Sequence, residues 1–76
     1  MEEHKAMRVI AREHDKAVSL FPKMQSYHEG YAIILQEVDE LWDLIKVKPY
    51  PGRDKFISKE ASYIAAMALR FLTDLC

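Results

Sequence analysis

The chain is poor in the residues that staple or interrupt folds: one cysteine, two glycines and three prolines among 76 residues. A single cysteine, Cys76, excludes an intrachain disulfide and a cysteine-based zinc site, and it fits a reducing, cytoplasmic compartment. The scarcity of glycine and proline excludes a loop-rich architecture. No stretch approaches the roughly 18 apolar residues of a membrane-spanning helix. The start, Met1 to Lys5, is charged and leads into an amphipathic segment instead of the apolar core of an export signal. An excess of cations is missing as well: 11 Lys and Arg stand against 12 Asp and Glu, so no global basic field exists to hold a nucleic-acid polymer. Glycine-rich phosphate loops, nucleophile elbows and Cys/His metal pairs are also absent, which leaves covalent catalysis without a candidate.

What is present points to helix. Half the residues are apolar and 30% are charged, a balance that folds. The length allows one domain over residues 1–76. A chain this short buries only about 60% of its unfolded surface, so added stability is expected from oligomerisation, as a homodimer or homotetramer.

Three periodic segments are separated by two punctuated ones. The first runs from about Glu2 to Leu20, with Met7, Ile10, Ala11, His14, Ala17, Val18 and Phe21 at helical spacing. His14 reads as a core histidine on that stripe, whereas His4 and His28 read as surface residues. Pro22 then biases Phe21 out of the helical region. Ser26-Tyr27-His28-Glu29 matches a capping box and starts a second helix, Tyr27 to about Val47. Tyr27, Tyr31, Ile34, Val38, Leu41, Trp42 and Ile45 cluster on one side of it and read as core, with Glu29, Gln36, Glu40 and Asp43 opposite. A loop of two prolines, a glycine and three cations leads to a third helix, capped by Asp54 or Ser58 and running to the C-terminus. This helix is apolar nearly all round, which predicts burial against a second subunit. The predicted fold is therefore all-α, an antiparallel bundle of three helices completed by oligomerisation.

Charge is distributed unevenly along these segments. Residues 27–46 carry five carboxylates against Lys46, whereas residues 47–76 carry five cations against three anions. Glu37 and Glu40, three apart, place their Cβ atoms about 5–6 Å from each other on one helix surface, which suits a hard cation. The same spacing is common on solvated helices, so it does not define a site by itself. Glu60 is different, because it interrupts the apolar stripe Ile57, Ile64, Met67, Phe71. A carboxylate in that position must be neutralised, paired with a cation such as Arg12 or Lys16, or bound to a metal.

The segment His28–Trp42, followed by Lys59-Glu60-Ala61 and Ala65–Leu72, resembles the MazG-like all-α nucleoside triphosphate pyrophosphohydrolases over roughly residues 26–75. The resemblance implies a four-helix unit completed by dimers or pairs of dimers. It also implies an E-x-x-E on one helix and an E-x-x-D on the next, which together hold magnesium on a nucleotide's phosphates. Glu37 and Glu40 match the first motif and Glu60 opens the second, so these three become the implied metal and catalytic residues. Tyr63 stands where the family has aspartate, and a neutral phenol does not replace that ligand; Glu29, Asp39 or a neighbouring subunit is left to fill the gap, whereas Asp74, about 21 Å from Glu60 along the helix, is too far to join the same ion. The implied reaction is hydrolysis of a nucleoside triphosphate, ribo or deoxy, to monophosphate and pyrophosphate, with Mg2+ or Mn2+ as cofactor and Lys48, Arg53 and Lys59 near the phosphate tail. The alternative is a non-catalytic homo-oligomer of the same architecture with a degenerate metal site. A third expectation is a partner module acting through the Trp42 face.

Overall fold

Local chemistry sets where each helix begins. In the computed structural model, which describes residues 1–76, three α-helices and no strands are present: α1 Glu3–Leu20, α2 Tyr27–Ile45 and α3 Arg53–Leu75. The Glu2 side chain accepts from the His4 amide at 2.9 Å and caps α1. Ser26 Oγ accepts from the Glu29 amide at 3.1 Å, and Glu29 reaches back to the Gln25 amide at 3.4 Å. The capping box therefore forms, with its return bond one residue earlier than the motif prescribes.

The third helix starts sooner than Asp54 or Ser58 would have it. Its N-cap is Gly52, at φ 92°, a left-handed conformation that glycine adopts without a Cβ penalty, and no side chain caps it. Asp54 falls in the first turn, where its charge complements the helix dipole. Arg53 Nη1 donates to the carbonyls of Val47 at 3.0 Å and Ile45 at 3.5 Å, so the first residue of α3 satisfies the last carbonyls of α2. Helix α2 ends at Ile45, two residues before the expected Val47.

Packing is organised around α3, which lies against both other helices, whereas no Cα of α1 comes within 8 Å of one in α2. Helix α1 runs beside α3 in the same direction, with Ala6, Val9 and Ile10 near Ser58 and Ser62 and Ala17 near Met67 and Arg70. Helix α2 runs antiparallel on the other side, with Gly30 against Phe71 and Leu75. The apolar girth of α3 is thus covered on two sides by its own chain, where the sequence had predicted a second subunit. The result is an open wedge of 37 × 27 × 19 Å, with a radius of gyration of 13.1 Å against about 11 Å for a compact chain of this length.

The core is small: Ala17, Met24, Ala66 and Met67 are buried, with Ile33, Ile34, Phe71 and Leu75 packed on them. The predicted core stripe of α2 is largely outside it. Tyr27, Tyr31, Val38, Trp42 and Ile45 are exposed, Trp42 by 59%, as are Met7, Val18 and Phe21 from the predicted α1 stripe. Two members of that stripe, Ile34 and Leu41, are half-buried together with Ile33, Glu37 and Leu44, Gly30 is buried, and Tyr27 stacks on Phe71 with ring centres 5.7 Å apart, so the face that meets α3 is shifted from the predicted one but overlaps it. Gly30 is the physical reason, because a Cβ there would stand 2.6 Å from Cδ2 of Phe71. The side chains of Phe71 and Leu75 fill the space a side chain at position 30 would take, so this rotation of α2 requires glycine there. His14 is half-buried, as its place on the α1 stripe predicts, but it is not the satisfied core histidine expected there, because its buried Nε2 has no hydrogen-bond partner.

Residues 21–25 are tied to the end of α3. Arg70, 3% exposed, donates from Nη2 to the Pro22 carbonyl at 2.8 Å, and Asp74 Oδ2 accepts from the Met24 amide at 3.0 Å. No helix is long and apolar enough to cross a membrane.

Candidate metal centre

The antiparallel pairing of α2 and α3 brings the inner row of α2 against the stripe of α3 at mid-length. Glu37 and Glu40, one turn apart, there oppose Glu60, and one carboxylate oxygen from each lies within 4.8 Å of the other two. Glu60 is 9% exposed and its Oε2 is buried without a hydrogen-bond partner. Neither Arg12 nor Lys16 reaches it: the ion pairs of the chain join His14 to Asp15, Lys16 to Glu13, Lys46 to Asp43 and Arg70 to Asp74.

Three carboxylates gathered without a cation repel one another. Burial is the first cause that raises the Glu60 carboxyl, followed by its contact with Glu37 and the negative charges of Glu37 and Glu40, and together they push it up to about 8. A carboxylate held out of water, beside two anions and with one oxygen unmatched, is stabilised either by a proton or by a cation. The donor set suits a hard cation, since all three ligands are oxygens. On an octahedral magnesium at its usual bond length at least two of three ligand pairs are adjacent, with oxygens about 3 Å apart, so the side chains of the 4.8 Å cluster draw together by up to about 2 Å to share one ion.

Around the carboxylates lies an open cavity of about 440 Å³ lined by Glu40, Asp43, Leu44, Phe56, Lys59, Glu60 and Tyr63. Of the three basic residues expected near phosphate, Lys59 is the one in this cavity, with Nζ 5.8 Å from the centre of the Tyr63 ring. Arg53 turns Nη1 to the end of α2, and Lys48 stays exposed in the loop. Of the carboxylates considered for the missing aspartate, Glu29 accepts from the Gln25 amide, and Asp74, excluded by its distance along α3, accepts from the Met24 amide. Asp39 is exposed and lies outside the oxygen cluster. Asp43 was missed: it lines the cavity with Glu40 and Glu60 while pairing with Lys46 at 2.9 Å. Its signal was legible in E-x-x-E-x-x-D, residues 37–43, which runs three carboxylates along one side of α2.

No protein-family model, no curated protein and no solved structure matches the chain.

Proposed function

We propose that the chain is a Mg2+-dependent nucleoside triphosphate pyrophosphohydrolase of MazG-like type, releasing monophosphate and pyrophosphate and working as a homodimer or homotetramer. The observation that carries this reading is the convergence of Glu37, Glu40 and Glu60 within 4.8 Å, with the buried Oε2 of Glu60 unpartnered. When bound, a divalent cation of this class neutralises phosphate charge and acidifies water, which removes the need for a protein nucleophile. Glu37, Glu40 and Glu60 hold the cation, and Mn2+ suits the same oxygens. Lys59 adds a positive charge beside the cluster, and the apolar wall of Leu44 and Phe56 restricts solvent on that side. Self-association is supported by the exposed row Tyr31, Val38, Trp42 and Ile45, a large apolar surface for a monomer to leave in water.

A second reading, a non-catalytic oligomer, draws on Tyr63, whose phenol adds no anionic ligand beside Glu60. Pyrophosphate release from a panel of canonical and modified nucleoside triphosphates with Mg2+ separates the two. The pyrophosphohydrolase reading expects turnover in the parent protein and its loss in folded Glu37→Gln and Glu60→Gln variants. Absence of turnover in a correctly assembled parent favours the second reading.

A further inference from the structure

The two sides of the α2–α3 pair differ in chemistry. On one side, where α1 and α2 diverge, a groove of about 600 Å³ opens with α3 as its floor, and its rim carries Glu13, Glu29 and Glu37. Its one cation, Arg70, is engaged with the Pro22 carbonyl and Asp74. Glu40 continues the row Glu29, Ile33, Gln36 on this side of α2. On the other side, a hollow of about 570 Å³ is lined only by the apolar and aromatic side chains of Tyr27, Tyr31, Ile34, Ala68, Phe71 and Leu72. Beyond it along α2 run Leu35, Val38, Trp42 and Ile45, all exposed. Gln36 and Val38 mark the two sides, about 200° apart around the helix.

Tyr27, Tyr31 and Trp42 are each about three-fifths exposed. With Leu35, Val38, Ile45 and Leu72 they leave roughly 700 Å² of apolar surface in water, counting about 200 Å² for a whole aromatic side chain. That exceeds the largest patch on a typical monomer, about 300–600 Å², and approaches the roughly 800 Å² that each partner gives a standard interface. Self-complementarity names the occupant. Trp42 projects from α2 about 16 Å along the helix from Tyr31 at the hollow's edge. The stack of Tyr27 on Phe71, with ring centres 5.7 Å apart, holds the hollow's wall. A two-fold axis between projection and hollow seats each Trp42 in the other copy's hollow, since a two-fold interface pairs residue i with j and j with i. Association through the groove would instead set three carboxylates against the same three, which repel. We propose that a second copy of this chain covers the face of Tyr31, Val38 and Trp42 about such a two-fold, and that the carboxylate cluster, on the far side of α2, is supplied by one chain alone. The interface stands without the metal; the independence of the two sites rests on the metal-site reading above.

Trp42 is the only tryptophan, so its emission reports the interface. With rising concentration the parent's emission should shift to the blue, in step with dimer formation measured by sedimentation. Val38→Arg should raise the dimer dissociation constant about a hundredfold or more, by burying an unpaired charge, and Gln36→Arg, on the groove side, should leave it within about twofold. Both positions are exposed in the single chain, and circular dichroism checks that each variant is folded. A parent that is monomeric at high concentration, or dimers that survive Val38→Arg and are lost in Gln36→Arg, would overturn the interface. Mg2+ should raise the Tm of the parent and of the Val38→Arg monomer alike. A rise confined to the parent would overturn the independence of the sites, because the second copy would then be supplying a ligand. No rise in either would remove the metal-site reading, and the independence of the sites with it, while sedimentation alone decides the interface.

Discussion

Along α2, two rows of side chains with the same helical spacing run one residue out of step and meet opposite fates. Gly30, Ile34, Glu37, Leu41 and Leu44 pack on α3, while Tyr31, Leu35, Val38, Trp42 and Ile45 face outward. The outer row is the more hydrophobic of the two, and the inner one contains the only glycine of the helix and a carboxylate. Closeness of approach therefore outweighs apolar area in choosing the contact face. Choosing the inner row also carries Glu37 to the α2–α3 contact, opposite Glu60. The outer row keeps the apolar area that would otherwise have been spent inside the monomer.

The largest expected effect lies where the inner row meets Glu60 of α3 and concerns pH. Glu60 in the folded metal-free chain keeps its proton up to about pH 8, whereas the unfolded chain loses it near 4.5. Between those values the native state binds more protons than the unfolded one, so the stabilisation present below 4.5 is lost as pH rises through 8. Thermal melts should show Tm falling across that window by about 20 °C or more, and Glu60→Gln or saturating Mg2+ should flatten the profile. A flat profile in the metal-free parent would show that the carboxylates do not close on one another.

Next in size is Gly30→Leu, which drives a side chain into Phe71 and Leu75. A loss of about 1–3 kcal/mol is expected from overpacking, read as a Tm drop of about 5–20 °C; an unchanged Tm would mean that the glycine does not set the rotation of α2. On the outer row, Trp42→Ser should leave the monomer's helicity intact and weaken self-association by about 2 kcal/mol, as a central aromatic anchor does. Sedimentation over a concentration series measures this, and a parent already monomeric at high concentration would end the oligomer proposal. The smallest effect expected is from Tyr63→Asp, which adds an anion to the cavity of Glu40 and Glu60. Magnesium should bind about tenfold more tightly, whereas lower stability with no gain in affinity would speak for the non-catalytic reading.

Much of this was legible in the residues themselves. Helical periodicity located all three helices, Ser26 located a start, and the misfit of Glu60 in an apolar stripe singled it out before any packing was known. The inward face of α2 was legible only in part: Ile34 and Leu41 lie on the predicted stripe and are half-buried, whereas Gly30, Glu37 and Leu44 lie off it, since neighbouring rows differ by only about 100° and summed hydrophobicity favours the exposed one. Gly30 held the needed signal, but its meaning depends on Phe71, which is distant in sequence. The same applies to Asp74, which breaks an apolar stripe by sequence and serves the Met24 amide in space, 50 positions away. The start of α3 was misplaced because a left-handed glycine competes with Asp54 and Ser58 as a helix signal.

The lack of close backbone approach between α1 and α2 also bears on the order in which the chain assembles. The hairpin of α2 and α3 closes through residues 46–52, a short loop with a small entropic cost, and it carries all three carboxylates. Helix α1 has its close backbone neighbours in α3, with Ala6 to Ile10 beside Ser58 and Ser62 about 50 positions away, and such long-range closure is slow. The acidic hairpin is thus the early-forming, slowly exchanging part of the molecule. Helix α1 joins it late and opens first under native-state hydrogen exchange, uncovering one wall of the groove while the carboxylates stay assembled.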